Sequence, residues 1–195
     1  MTISLTHSIL RGTAGKKFKG LLILDRDGVL IRDTGYPHRI QDVEISFSLI
    51  NFLHEIRQRG YAFGFASNQG GIGLGLYSWK CYEALTSYLD ALMLQHNAQP
   101  DFWLACAAHP DSVISCLKKE EHEWRKPRPG MLLHAMRSFG CQANNSLFVG
   151  DRDSDMLAAA RAGIKGVKYT SWPENNALSD QKDDVFHQIK ALIYR

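Results

Sequence analysis

The chain has 195 residues, of which 45% are hydrophobic and 22% charged, and its formal net charge is +3 at pH 7. This length suits a single globular domain, which we expect to span residues 1–195. Its lysines and arginines form no dense block, so we expect a small anionic ligand and no nucleic-acid partner. No apolar run approaches the ~18 residues that a membrane span needs, so we expect no membrane association.

Residues 1–19 contain no long apolar core before their basic part, which is unlike a secretion signal. We expect them to form an arm, or a short strand added to the fold, and we expect a cytoplasmic, monomeric protein. The cysteines at positions 81, 106, 116 and 141 are scattered along the chain. In a protein without an export signal, such cysteines are reduced thiols or metal ligands more often than disulfides.

Short apolar runs alternate with amphipathic segments along the chain. The runs predict strands at residues 21–24, 61–66, 102–106, 146–149 and 166–169. The amphipathic segments predict helices over residues 46–59 and 180–195. They predict three more helices: one capped by Ser78, one with Pro129 as its first residue and Gly140 after its end, and one that begins at Asp153 or Ser154 and ends at Gly163. This alternation predicts an α/β fold with a mainly parallel central sheet between helices, and ligands then bind at the carboxyl ends of the strands.

An acid pair follows the first of these strands. Asp25 and Asp27 are two residues apart, and Gly28 comes next. At the end of a buried strand, such a pair can present one carboxylate as a nucleophile and the other as a general acid/base. The same residues can also do no more than form a turn, because Asp-Gly is a common turn pair.

Three further polar segments follow predicted strands or precede predicted helices. The hydroxyl of Ser67 and the glycine-rich loop after it can donate hydrogen bonds to a phosphate. The cations of residues 125–128 lie just before a helix and can bind an anion. Carboxylates at positions 151, 153 and 155 suggest a site for a hard cation, although Asp153 can also serve only as a helix cap.

This order of segments, over residues 21–170, resembles the haloacid dehalogenase (HAD) superfamily of phosphohydrolases. The resemblance implies a Rossmann-like three-layer fold in which Asp25 is the nucleophile that forms an aspartyl-phosphate. It implies that Asp27 protonates the leaving oxygen and then activates water. It also implies a Mg²⁺ ion held by the Asp25 carboxylate, the Asp27 backbone carbonyl and Asp151.

The same resemblance implies roles for three more side chains. Ser67 and Lys126 would hold the oxygens of the transferring phosphoryl group. Asp155 would orient Lys126 or a metal-bound water. Arg26 and Arg152 are alternative charge partners, and we expect both to lie at the surface.

Residues 35–38, 67–73 and 125–131 resemble motifs of the D-glycero-D-manno-heptose 1,7-bisphosphate phosphatases. The resemblance implies a sugar-phosphate substrate, with Arg125 on the phosphate that is not cleaved. The residues implied to contact the substrate are Asn68, Gln69, Arg125, Tyr36 and His38. The motifs leave no room for a separate cap domain, so inserts at residues 32–43, 70–77 and 107–124 would roof the site. The alternatives are a histidinol-phosphate or other small-molecule phosphatase, or a phosphosugar-binding protein without turnover.

The sequence departs from this subfamily at two places. Relatives bind structural Zn²⁺ in the third insert, but Ala108 and Trp124 occupy two of the expected ligand positions. The remaining candidate ligands for a tetrahedral zinc site are Cys106, His109, Cys116 and His122. We favour the alternative, in which the zinc site has been lost and Trp124 fills the space. Leu74 replaces an arginine that is common in relatives, which makes a substrate with one phosphate or a different sugar more plausible.

Overall fold

The structure is a computed structural model that describes residues 4–12, 16–169, 172 and 180–193. The strands are β1 (Thr6–Leu10), β2 (Leu21–Leu24), β3 (Ala62–Asn68), β4 (Phe102–Cys106), β5 (Ser146–Gly150) and β6 (Lys165–Lys168). The helices are α1 (Phe47–Gln58), α2 (Gly70–Gly73), α3 (Trp79–Gln95), α4 (Gly130–Phe139), α5 (Asp153–Ala162) and α6 (Asp180–Ile193). Short 3-10 turns lie at Ile40–Asp42, Ser115–Leu117 and Ala143–Asn145.

The strands form one sheet in the order β1-β4-β3-β2-β5-β6. All neighbours are parallel except β1, which pairs antiparallel with β4. From β2 the chain builds β3 and β4 on one side, and it later adds β5 and β6 on the other. The strand order therefore reverses between β2 and β5, and loops that leave this point diverge and open a cleft at the carboxyl ends of the strands.

Helices cover both faces of the sheet. The side chains of β2 point alternately to the two faces, and all of them are buried. Leu22 and Leu24 belong to one core cluster, with apolar side chains of α1, α3 and α6. Leu21 and Ile23 belong to the other, with side chains of α4 and α5. The predicted three-layer α/β sandwich with a mainly parallel sheet is therefore confirmed.

The helix ends follow the local signals of the sequence. The Ser78 hydroxyl accepts a hydrogen bond from the backbone N–H of Cys81 at the start of α3. Gly140 and Gly163 adopt left-handed backbone conformations after α4 and α5, a position that favours glycine. Pro129 is the residue before α4 rather than its first residue.

Residues 1–19, expected to form an arm or an added strand, contribute β1. The four-residue helix α2 lies where the sequence indicated only a loop. The predicted end of the last helix, residues 194–195, and Met1 to Ile3 lie outside the described residues. Within the described ranges, no helix combines the length and apolarity needed to cross a bilayer.

Candidate active site

Asp25 directly follows the central strand β2, at the point where the strand order reverses. Its backbone N–H donates to the Val149 carbonyl on β5 at 2.8 Å, so the pairing of β2 and β5 continues to this residue. The Arg26 backbone N–H donates to Asp25 Oδ1 at 2.7 Å. With 6% of the residue exposed, Asp25 is held rigidly at the floor of the cleft.

Lys126 lies between two buried carboxylates. Its Nζ is 2.7 Å from Asp25 Oδ2 and 2.9 Å from Asp155 Oδ1. The side chains of Lys126 and Asp155 are 1% and 0% exposed, so this ion pair is shielded from water. Asp155 reaches the site from the first turn of α5, where its Oδ2 also accepts the backbone N–H of Arg152 at 3.0 Å.

Burial raises the pKa of Asp25 to about 7, and the nearby acids reinforce this effect against the lowering by Lys126. Burial and the Asp155 charge raise the pKa of Asp151 to about 6. Burial alone would lower the pKa of Lys126, but Asp155 and Asp25 outweigh it and raise that pKa. The site therefore holds one lysine beside three closely spaced acids, which together carry a net negative charge when all of them are ionised.

The surplus negative charge fits a divalent cation. One carboxylate oxygen each from Asp25, Asp151 and Asp155 lies within 4.8 Å of the others. In the described part of the chain, buried Asp151 Oδ1 has no hydrogen-bond partner. Gly28, with φ at +81°, packs so closely on Asp151 that a Cβ would overlap the carboxylate. Oxygen donors of this kind suit a hard cation such as Mg²⁺. Two of the predicted Mg²⁺ ligands, Asp25 and Asp151, lie in this cluster.

Asp27 is held on both carboxylate oxygens. Arg26 Nε donates to its Oδ1 at 2.7 Å, and Arg26 Nη2 donates to its Oδ2 at 3.0 Å. Gln69 Nε2 donates to the same Oδ2 at 2.9 Å. The expectation that Arg26 lies at the surface is wrong, because 1% of this residue is exposed, whereas Arg152 is exposed as expected.

The last residues of β3 and Gln69, which follows them, support the site from below. Gln69 Nε2 donates to Ser67 Oγ at 2.7 Å, which fixes a hydroxyl that faces the cleft. The Asn68 side chain donates to the Lys126 carbonyl at 2.9 Å and accepts from the Lys126 N–H at 3.0 Å. Asn68 therefore fixes the backbone that carries Lys126, while Gln69, 0% exposed, lies beneath Asp27 and outside the cavity lining.

The cleft is a cavity of about 180 Å³. Its lining residues are Asp25, Asp27, Asp33, Gly35, Tyr36, Ser67, Asn68, Lys126, Arg152, Ser154 and Asp155. Of the three predicted roof inserts, only residues 32–43 contribute to this lining. The sequence interpretation did not include Asp33, whose carboxylate pairs with Arg152 across the mouth of the cavity. No motif in the sequence marks Asp33, since its role depends on the path of the loop.

Besides Gln69, the predicted substrate-binding residues His38 and Arg125 also lie outside this lining. The half-buried His38 ring stacks on Tyr77 with centroids 4.8 Å apart, and its Nδ1 lies 2.9 Å from the Tyr36 carbonyl. Arg125 Nη1 donates to the Ala108 carbonyl at 2.7 Å, and a Cβ on Gly70 would lie 3.3 Å from it. Both residues therefore lie at the rim, beside α2 and the 32–43 loop.

The structure does not assemble the four candidate zinc ligands. Cys106 Sγ lies 3.5 Å from His122 Nδ1, but that nitrogen also accepts the Trp124 backbone N–H at 3.1 Å. His109 packs against Gly70 and Gly73 instead, and Cys116 lies in an exposed 3-10 turn. In the ranges that the structure describes, the acid cluster is the one group of three or more such residues that could hold a metal.

Trp124 packs against the core cluster that contains Ala108 and the candidate zinc ligand Cys106, and its ring lies 4.9 Å from that of His134. Burial raises the pKa of the Cys106 thiol to about 11. The tetrahedral set of Cys106, His109, Cys116 and His122 therefore stays an untested possibility, and the described geometry favours the alternative in which the zinc site has been lost.

The sheet order, the acid pair after β2 and the acid cluster at the β5–α5 junction define a HAD-like hydrolase. A family model described as HAD-hydrolase-like matches residues 123–191. The chain is 35% identical over 161 residues to the D-glycero-α-D-manno-heptose-1,7-bisphosphate 7-phosphatase of Photorhabdus laumondii, which covers 80% of this chain and 87% of the relative. It is also 35% identical over 173 residues to the corresponding β-anomer enzyme of that organism, covering 88% and 92%.

A solved structure supports the same relationship. A HAD-like phosphatase structure from Mesorhizobium loti superimposes with a TM-score of 0.83 at 27% identity, covering 98% of this chain and 96% of the other. The chain therefore belongs to the D-glycero-D-manno-heptose-1,7-bisphosphate 7-phosphatase family of HAD-like hydrolases.

Proposed function

We propose that this protein is a Mg²⁺-dependent phosphomonoester hydrolase that removes the 7-phosphate of D-glycero-D-manno-heptose 1,7-bisphosphate through an aspartyl-phosphate. The observation that carries this proposal is the position of Asp25, which shares Lys126 with Asp155 and lies within ligand distance of Asp151. The relatives at 35% identity that act on this sugar support the substrate, and they include enzymes for both anomers.

In the first half-reaction, a carboxylate oxygen of Asp25 attacks the phosphorus. The bond between phosphorus and the sugar oxygen breaks, and Asp27 gives its proton to that oxygen as it leaves. Asp27 lines the cavity with Asp25, as this transfer requires. The products of the step are the heptose 1-phosphate, an aspartyl-phosphate at position 25 and an ionised Asp27.

In the second half-reaction, Asp27 takes a proton from a water molecule that attacks the phosphorus of the aspartyl-phosphate. The bond between phosphorus and Asp25 breaks, which releases inorganic phosphate and regenerates the Asp25 carboxylate. Dividing the displacement into two steps suits phosphate monoesters, whose uncatalysed hydrolysis is among the slowest known.

Several groups reduce the repulsion between Asp25 and an anionic phosphate. Lys126, 2.7 Å from Asp25, would also contact a phosphoryl oxygen, and the Ser67 hydroxyl would donate to another. Asp25, Asp151 and the Asp27 backbone carbonyl would hold the Mg²⁺ ion. When bound, this ion neutralises charge that develops on the phosphoryl group.

Rim residues would bind the rest of the sugar. Tyr36 lines the cavity, while His38 and Arg125 lie beside its mouth, where a second phosphate would meet the Arg125 charge. Among the ion pairs of the described residues, Arg125 has no carboxylate partner. A monomeric state and a cytoplasmic location remain predictions, which size-exclusion chromatography and cell fractionation can test.

A phosphate-release assay over both heptose 1,7-bisphosphate anomers, histidinol phosphate and common hexose phosphates tests the substrate. We expect the bisphosphates to give the highest kcat/KM in the presence of Mg²⁺. Release mainly from histidinol phosphate or a hexose monophosphate would contradict the proposed substrate while retaining the chemistry.

Asp25→Asn tests the nucleophile. We expect turnover to fall by about 10³-fold or more, because the variant lacks the proposed nucleophile, while phosphate still binds in the presence of Mg²⁺. The matched control is Asp153→Asn, since Asp153 is exposed and pairs with Lys168 outside the cavity. Turnover in Asp25→Asn close to that of the control would refute the assignment.

A further inference from the structure

Arg26 is a buried cation in direct contact with the proposed general acid. Only 1% of the residue is exposed, and burying a guanidinium is costly unless it is paired. Its fork binds both oxygens of Asp27, at 2.7 and 3.0 Å, which is the bidentate geometry that orients a carboxylate most firmly. On its other side the guanidinium carbon lies 5.5 Å from the centre of the Tyr82 ring, deep in the fold.

Gln69 binds both Asp27 and Arg26. Its Nε2 donates to Asp27 Oδ2 at 2.9 Å, and its Oε1 accepts from Arg26 Nη2 at 3.1 Å. The carboxylate of Asp27 therefore receives three hydrogen bonds from two buried side chains. Oδ1 accepts only one of these bonds, so it can still carry the proton that Asp27 donates as a general acid. The group is fixed in one orientation, and proton transfer to a leaving oxygen depends first on that orientation.

Arg26 and Gln69 are linked to the 32–43 loop, Arg26 directly and Gln69 through Tyr77. Arg26 Nη2 donates to the Pro37 carbonyl at 3.1 Å. The Tyr77 hydroxyl donates to Gln69 Oε1 at 2.8 Å, and the Tyr77 ring stacks on His38 with an interplanar angle of 6°. The same loop places Tyr36 in the cavity lining, so a ligand that moves Tyr36 also acts on the residues that hold Asp27.

We infer that Arg26 and Gln69 are positioning residues that orient Asp27, and that the 32–43 loop adjusts this orientation when a sugar phosphate occupies the cavity. The inference rests on the proposed function, in which Asp27 protonates the leaving oxygen. Neither Arg26 nor Gln69 is part of the cavity lining, so Arg26 acts through Asp27, and Gln69 acts through Asp27 and Ser67.

Arg26→Lys tests the orienting role, because lysine keeps the positive charge but cannot form the bidentate fork. The measurement is single-turnover release of the leaving group from heptose bisphosphate and from p-nitrophenyl phosphate. Nitrophenolate leaves without a proton, whereas a sugar alkoxide needs one. We expect the rate with the sugar phosphate to fall by about 10- to 100-fold, and the rate with p-nitrophenyl phosphate to fall by less than about threefold. Equal losses on both substrates would overturn the inference.

Tyr77→Phe tests the connection to the loop and removes only one hydroxyl, so it keeps the inference testable if Arg26→Lys fails to fold. We expect kcat and the single-turnover rate for heptose bisphosphate to fall by about 3- to 10-fold, with an unchanged single-turnover rate of nitrophenolate release from p-nitrophenyl phosphate. The matched control is Tyr88→Phe, on the exposed side of α3, which should behave as wild type. An unchanged kcat in Tyr77→Phe, or a change in KM alone, would overturn the coupling.

The wild-type protein separates this inference from the proposed function. If it releases phosphate from neither substrate, the proposed function fails and the inference fails with it. If it hydrolyses both substrates and the variants lose equal activity on each, only the positioning role of Arg26 and Gln69 fails.

Discussion

Asp25 and Lys126 form an ion pair of 2.7 Å whose side chains are 8% and 1% exposed. The same ammonium group serves Asp155, so Lys126 is the one cation that directly contacts these two buried acids among the described residues. Lys126 is therefore the side chain that compensates the charge of both buried acids.

We predict that Lys126→Met lowers the free energy of unfolding by about 3–5 kcal/mol near pH 8, because it leaves buried carboxylates without a counterion. Near pH 5 the loss should be smaller, since Asp25 can then take up a proton. Urea unfolding at both pH values measures this difference. Lys168→Met removes an exposed ion pair with Asp153 and should change little. A loss in Lys126→Met that is the same at both pH values would contradict the explanation.

The raised pKa values of Asp25 and Asp151 predict how stability depends on pH without a divalent cation. Their pKa values rise from 3.8 to about 7 and about 6, so between these limits the folded protein binds more protons than the unfolded chain. Stability should therefore fall as pH rises from about 4 to about 7. Mg²⁺ competes with these protons, so it should stabilise the protein more near pH 8 than near pH 5.

Urea unfolding across this pH range, in EDTA and in Mg²⁺, measures both effects. Asp151→Asn should reduce the pH dependence in EDTA and weaken the stabilisation by Mg²⁺. If stability in EDTA instead rises steadily between pH 4 and 7, these two carboxyl groups do not control it.

The close approach of Gly28 to Asp151 predicts a specific effect of a methyl group. Gly28→Ala should lower stability by about 1 kcal/mol or more, because Gly28 has φ of +81°. It should also weaken Mg²⁺ binding by about 10-fold or more, because the new Cβ displaces the Asp151 carboxylate. Calorimetric titration with Mg²⁺ checks the second effect.

Gly140→Ala is the matched control, since Gly140 has φ of +63° but no atom within 4 Å of an added Cβ. It should lower stability to a similar extent and leave Mg²⁺ affinity unchanged. Equal Mg²⁺ affinities in the two variants would show that Gly28 does not shape the metal site.

From the geometry of the third insert, residues 107–124, we predict that the purified protein contains no stoichiometric zinc. Among the described residues, its candidate ligands do not converge. Metal analysis of the purified protein should give on the order of 0.1 equivalents of zinc or less, well below the full occupancy of a structural site. Cys106→Ser should leave the zinc content unchanged. About one equivalent in the wild-type protein, lost in the variant, would demonstrate that this loop binds zinc.

The sequence predicts the grouping of Asp25, Lys126 and Asp155 because strand ends meet at one edge of a parallel sheet. Each of these residues follows a strand or precedes a helix whose period is clear, so the topology brings them together. The core and most of the helix ends are predictable for the same reason, since they depend on short-range patterns.

Features that depend on the paths of loops are not predictable in this way. Strand alternation indicates that Arg26 points away from its neighbours, but it does not indicate that Tyr82 and the Pro37 carbonyl enclose it. Helix α2 forms in a glycine-rich segment of low helix propensity, where a Cβ on Gly71 would collide with Tyr77. Tertiary packing therefore determines this helix against the local preference.

The pairing of β1 with β4 has a consequence for self-association. Without residues 6–10, the backbone of Phe102–Cys106 would present unpaired N–H and C=O groups to solvent, which is a template for strand addition by another molecule. At the opposite margin, β6 carries exposed lysines at both of its ends, and such charges discourage intermolecular pairing. Shortening the N-terminus would therefore leave the catalytic cleft in place while promoting aggregation of the protein.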